Sequence, residues 1–195
     1  MERSSDVPRL HFTGDEAADD LLSRDPFALL AGMLLDQQFP MERAFSGPWR
    51  LAQRMDVDTF DPRRVADMDA EEFAALVATP PVVHRYPRSM AGRLQALARY
   101  VVDTYDGDAA ALWSTAGSGA DLFTRLRALP GFGEQKARIF VAVLGKRLGI
   151  QPPGWREAAG PYGEDGSHRS VADVDDADSL AQVRAYKQAQ KNAKE

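Results

Sequence analysis

The sequence predicts an all-α protein. Apolar residues recur at helical spacing along most of the chain, these segments open on capping residues, and no stretch alternates with a period of two. At 195 residues the chain suffices for one domain or for two small helical lobes sharing a core.

Thr13 ahead of Asp15-Glu16 predicts a short helix to about Leu22. Asp25-Pro26 reads as N-cap and first helical residue, because proline's missing N–H costs nothing there. Phe27, Leu30, Ala31, Leu34 and Leu35 then form one face, and Leu29 and Met33 widen it, so this helix should be buried on most sides. Gln37-Gln38 closes it and Pro40 restarts the chain. Asp61-Pro62 and Asp69 cap two short helices, Pro80-Pro81 interrupts, and Tyr86-Pro87 opens a longer helix that Asp106-Gly107-Asp108 ends. A helix from Asp121 to about Leu129, the turn Pro130-Gly131-Phe132-Gly133 and a helix carrying Ala137, Phe140, Val141, Leu144 and Leu148 complete residues 1–150 as the main helical domain, with the hairpin at 121–148. Residues 151–177, rich in proline and glycine, read as a long loop, and 178–195 as a C-terminal helix packed on the same domain, its basic face formed by Arg184, Lys187, Lys191 and Lys194.

Composition narrows the function classes. The cysteine count is zero, which removes disulfides, thiolate metal sites, a cysteine nucleophile and cysteine-ligated iron–sulfur clusters. His11, His84 and His168 have no metal-ligand spacing, so neither a metal nor another cofactor is expected. No apolar run is long enough to cross a membrane, and Met1 to Ser5 lead into no apolar signal segment, so a cytoplasmic protein is expected. The net charge of -5 opposes nucleic-acid binding unless cations cluster locally.

The glycine turn carries the most chemistry. Two glycines allow positive φ and close approach of another molecule. The helix after Gly133 leaves its first N–H groups unpaired at the positive end of its dipole, which suits a phosphate, with Lys136 and Arg138 nearby to add charge. A bare Pro-Gly-x-Gly also serves as a plain helix connector. Phe132 should pack beneath the turn.

The longer string Leu129-Pro130-Gly131-Phe132-Gly133 with Ala137 resembles the helix-hairpin-helix of the HhH-GPD superfamily of base-excision DNA glycosylases, whose pattern is Leu-Pro-Gly-x-Gly-x-x-x-Ala. Asp25 to Gln38 is similar to the family's early core helix, and Arg85-Tyr86-Pro87-Arg88-Ser89-Met90-Ala91 to the segment between the two motifs, so the likeness runs from Asp25 to Leu148. It implies a two-lobed helical glycosylase fold of the endonuclease III-like branch without its iron–sulfur cluster. It also implies a monomer acting on double-stranded DNA that carries a damaged or mismatched base, near the nucleoid. Gly131, Phe132, Gly133, Lys136 and Arg138 would contact DNA, and Gln38 would fill the gap left by a flipped base. His84, Tyr86 or Trp49 could stack on that base.

Two departures bear on catalysis. Where bifunctional relatives carry a lysine nucleophile this chain has Gln135, with Lys136 rotated by ~100° about the helix axis, which implies a monofunctional, water-using enzyme without lyase activity. Lys136 itself reads as a phosphate contact or a solvated charge. The family's catalytic aspartate has no counterpart in Leu148 to Trp155. Asp36 is the first replacement, with Glu157 and Asp173 as others, and Asp36, Gln135 and Lys136 form the candidate catalytic set. Without a working acid, the alternatives are a DNA-binding protein that has lost the chemistry, or a hairpin that packs on protein.

Overall fold

The computed structural model describes residues 7–195; the segment Met1 to Ser5, read above for a signal, lies outside the described residues. Eleven α-helices and two short 3₁₀ turns make up the fold, with no strand among the described residues. The first lobe comprises α1 (Glu16–Arg24), α2 (Pro26–Leu35), α3 (Met41–Arg54), α4 (Pro62–Asp67), α5 (Ala70–Ala78) and α6 (Pro87–Tyr105). The second comprises α7 (Ala111–Ser114), α8 (Gly119–Arg127), α9 (Glu134–Arg147) and α10 (Trp155–Ala159), and α11 (Ala177–Asn192) follows. One continuous hydrophobic core runs through both lobes.

Aspartates set most helix starts. Asp15 caps α1 by accepting from the N–H groups of Ala17 and Ala18, while Thr13, expected to head this helix, instead donates its hydroxyl to Asp15 O and Asp19 Oδ1. Asp25 caps α2 through Ala28 N–H, and its second oxygen accepts Phe60 N–H at 2.7 Å, which ties the start of α2 to the segment before α4. Burial raises the Asp25 carboxyl above its ordinary value, although these donors oppose the shift. Asp61 and Asp69 cap α4 and α5 as their sequence positions suggest. Every residue from Phe27 to Leu35 is buried, so α2 is the central helix of the first lobe.

The second lobe departs from expectation in two places. Helix α8 begins at Gly119, because Ser118 accepts the N–H of Asp121 and so caps the helix earlier than Asp121 suggested. The segment 151–177 is not one long loop: it folds into α10 and 3₁₀ turns at Gly160–Gly163 and Val171–Asp173. Trp155 lies where a Cβ on Gly145 would stand 2.4 Å from its ring, and a Cβ on Gly119 would stand 2.4 Å from the Gly154 carbonyl oxygen. Two glycines on α9 and α8 therefore make the slot that seats this segment. A buried ion pair between Lys146 and Asp173 at 2.6 Å closes it.

Candidate nucleic-acid interface

The site forms where the end of α2 meets the hairpin. Helix α2 stops at Leu35, Asp36 follows as its C-cap, and the chain turns through Gln37 into Gln38, an exposed residue held at φ 52°. His84 braces this turn. Its Nδ1 accepts the N–H of Tyr86 at 2.9 Å, so Nε2 carries the proton and donates to Gln37 O at 2.8 Å. Burial pushes its pKa down and favours this neutral form. His84 is thus a strut rather than a free stacking ring; Tyr86 is exposed, and Trp49 packs half-buried against the core.

Opposite this end lies the hairpin between α8 and α9. Gly131 has φ +84°, and a Cβ there would stand 2.4 Å from Leu34 Cδ1, so the turn packs directly on α2. Phe132 is buried, edge-on to Phe140 with ring centres 6.3 Å apart; it supports the turn from beneath and presents no exposed ring. Gly133 caps α9 without a side-chain hydrogen bond, and nothing lies within 4 Å of where its Cβ would be. The first-turn N–H groups of α9 thus open on an unobstructed backbone at the positive end of the helix dipole. Glu134 leaves them free by folding back to Arg138 at 2.9 Å. Arg138 also donates to Ala158 O at 2.9 Å and lies over the Phe123 ring, so its guanidinium is committed to the second lobe and is not a free cation beside the turn.

Lys136 turns inward. Its Nζ donates to Met33 O at 2.6 Å and Leu34 O at 3.0 Å, carbonyls in the last turn of α2. It is therefore not a solvated surface charge, because the end of α2 occupies the space that solvent would fill. Desolvation lowers its pKa from 10.5 to about 8, against the opposing attraction of Asp36 and with the help of repulsion from Lys187 and Arg93. Gln135 donates its Nε2–H to Tyr162 Oη at 3.0 Å.

These groups share one cavity of about 860 Å³, whose lining includes Asp36, Gly131, Gly133, Gln135, Lys136 and Tyr162. Its outer wall is α11, where Lys187 lies 3.6 Å from Asp36. Beyond Lys187 a second cavity of about 1000 Å³ holds Gln38, Phe39 and Arg85. The fold thus brings Asp36, Gln135 and Lys136 together, with Gln38 one cavity further on. It does not bring the other acids: Asp173 is locked against Lys146 and accepts Ser167 and Arg169 donors, and Glu157 is exposed on α10 outside both cavities. Sequence reasoning missed Tyr162 and Arg169. Their only local signal is a polar aromatic and a cation in the segment read as a loop.

Two helical lobes joined across a glycine hairpin, with a groove at the junction, define a helix-hairpin-helix protein. The family model for the HhH-GPD superfamily base excision DNA repair proteins matches residues 31–195, and the chain belongs to this family. A comparison with curated proteins gave no match, and a comparison with solved structures gave none. The family's proteins bind DNA and act in base excision repair as glycosylases. Among the described residues no helix is long and apolar enough to cross a membrane, and no group of His, Asp or Glu is arranged to hold a metal ion.

Proposed function

We propose that the chain is a monofunctional DNA glycosylase that acts as a monomer on duplex DNA carrying a damaged or mismatched base, in the nucleoid of the cytoplasm. The observation that carries this reading is the convergence of Asp36, Gln135, Lys136 and the hairpin glycines on one cavity, with Gln38 beside it. The N–H groups after Gly133 hold a backbone phosphate, Gly131 lets the strand approach, and Phe132 keeps the turn in shape. Gln38 enters the duplex as the target nucleotide rotates out. In the cavity the bond from C1′ to the base breaks with its electron pair leaving on the base. The Asp36 carboxylate stabilises the positive charge that develops on the sugar and accepts a proton from the attacking water, whose oxygen bonds to C1′. Lys136, still largely protonated at neutral pH, supplies a proton to the departing base, and Gln135 with Tyr162 orients the sugar. Residues 1–150 and the helix at 178–195 act as one domain in this scheme, because Asp36 and Lys187 meet across the groove.

One observation favours a second reading, a binding protein without catalysis: no carboxylate stands between Leu148 and Trp155, where the family carries its acid. Duplex oligonucleotides bearing uracil, alkylated, oxidised or mismatched bases, treated with alkali after incubation, separate the two. Cleavage at one lesion that Asp36→Asn abolishes while DNA binding persists supports the enzyme. Salt-sensitive binding with every strand intact supports the binding protein.

A further inference from the structure

Helix α11 is packed into the core by its N-terminal half only, and past it just two ion pairs, Arg184 with Glu42 and Lys187 with Asp36, tie it to the first lobe. Leu180 and Val183 are buried and Asp176 with Ser179 forms a capping box, whereas every residue from Arg184 onward is exposed. On this exposed part Lys187 and Lys191 lie at i and i+4 along one face, and Lys194 follows in the turn that ends the helix. All three line the cavity wall that faces the hairpin. Only Lys187 has an acidic partner, Asp36 at 3.6 Å; among the described residues Lys191 and Lys194 have none. Like charges at this spacing repel one another, so the arrangement costs the free protein helix stability. It is relieved by a polyanion laid along the helix. At helical rise the interval from Lys187 to Lys194 is roughly 10 Å. A DNA strand carries one phosphate per ~3.4 Å of its axis, so the three lysines cover about three phosphates.

We propose that the exposed part of α11 and the turn after it form a second backbone grip, in which Lys187, Lys191 and Lys194 hold one DNA strand across the cavity from the hairpin. The proposal rests on the DNA-binding reading above and adds a wall to it: the cavity then lies between two phosphate holds, and the flipped nucleotide is bracketed by both. Tyr186, also on this wall and 37% exposed, lies beside the base.

The test is binding of a labelled duplex by fluorescence anisotropy between roughly 50 and 200 mM salt, for the wild-type chain and two triple variants. One is Lys187→Gln/Lys191→Gln/Lys194→Gln. The other, Arg64→Gln/Arg88→Gln/Arg99→Gln, removes the same charge from exposed residues that line neither cavity. The proposal expects the plot of log affinity against log salt to flatten by about 2 to 3 for the lysine variant, since each phosphate contact contributes ~0.9 to the slope, and to change by less than one for the arginine variant. An unchanged slope for the lysine variant overturns it, as does equal flattening in both variants, which would mean long-range charge alone. Tighter binding by the lysine variant also overturns it, by making α11 a cover over the groove. If the wild-type chain binds no duplex at any salt, the DNA-binding reading itself falls.

Discussion

Removing the charge of Lys136 should change how stability depends on pH, in a direction and a window that the structure fixes. The amine is desolvated between α9 and the end of α2, and its pKa falls from 10.5 to about 8. In the unfolded chain it binds a proton up to the higher value, and in the folded chain only up to the lower. Stability is therefore greatest above pH 10.5 and is lost as pH falls from there to about 8; at neutral pH the full cost of the buried charge is present. That cost is roughly 3 kcal/mol at ~1.4 kcal/mol per tenfold change in proton affinity. Lys136→Met removes it without orphaning either carbonyl, because Leu34 O still accepts from Gln37 Nε2 at 3.1 Å and Met33 O from the N–H of Asp36 at 3.3 Å. The variant should thus be at least as stable as wild type at pH 7. Urea denaturation followed by circular dichroism on both proteins from pH 7 to 11 gives the stability difference, in which other titrating groups cancel. Wild type should gain roughly 3 kcal/mol on the variant across that range. A difference that stays flat, or that moves in the variant's favour as pH rises, refutes the inward, desolvated amine.

Three further outcomes are expected. Gly131→Ala should lower stability by roughly 2 kcal/mol or more in thermal melts, from the positive φ and the collision with Leu34, while Gly133→Ala, whose added carbon meets nothing, should melt like wild type and lose affinity for duplex DNA. Asp25→Ala removes a helix cap and strands the buried N–H of Phe60, at a cost of about 2 to 4 kcal/mol that urea unfolding will show. Lys146→Met leaves the Asp173 carboxylate buried without its partner, so it should cost about 3 to 5 kcal/mol and make residues 160–173 exchange amide hydrogens faster than the rest of the second lobe.

What was legible in the sequence was what is decided locally. Asp25-Pro26, Asp61-Pro62 and Asp69 mark helix starts because a short side chain satisfies an N–H two or three residues on, with no help from the rest of the fold. The buried α2 and the hairpin were legible from periodicity and glycine spacing for the same reason. Helix α10 was not: at five residues it has no periodicity, and it exists because Trp155 finds the groove over Gly145 and Gly154 meets Gly119, contacts that join distant parts of the chain. Lys136 failed in the same way. Helical geometry separates it from Gln135 by ~100°, but whether that direction is solvent or protein depends on α2, about a hundred positions earlier. Asp36 could be singled out as an acid beside the turn after α2, while its nearness to Lys187 is set wholly by how α11 returns across the groove.

The acidic balance of the chain, which taken alone opposes a nucleic-acid partner, reflects in part how the fold uses aspartate. Asp15, Asp25, Asp61, Asp69 and Asp176 cap helices, and Asp19 and Asp173 are buried among donors. Each of these charges is answered by N–H groups, by the positive end of a dipole or, for Asp173, by Lys146, and so contributes little field at a distance beyond the Debye length of ~10 Å. The groove is built differently. Of its two acids, Glu134 is paired with Arg138 and Asp36 with Lys187, and Arg169 pairs with Glu164, which leaves Lys191 and Lys194 lining the cavity with no acidic partner among the described residues. The net count of -5 is therefore no measure of the groove, whose own lining carries more cations than acids. A strand lying there meets that local balance first, and its sign is positive.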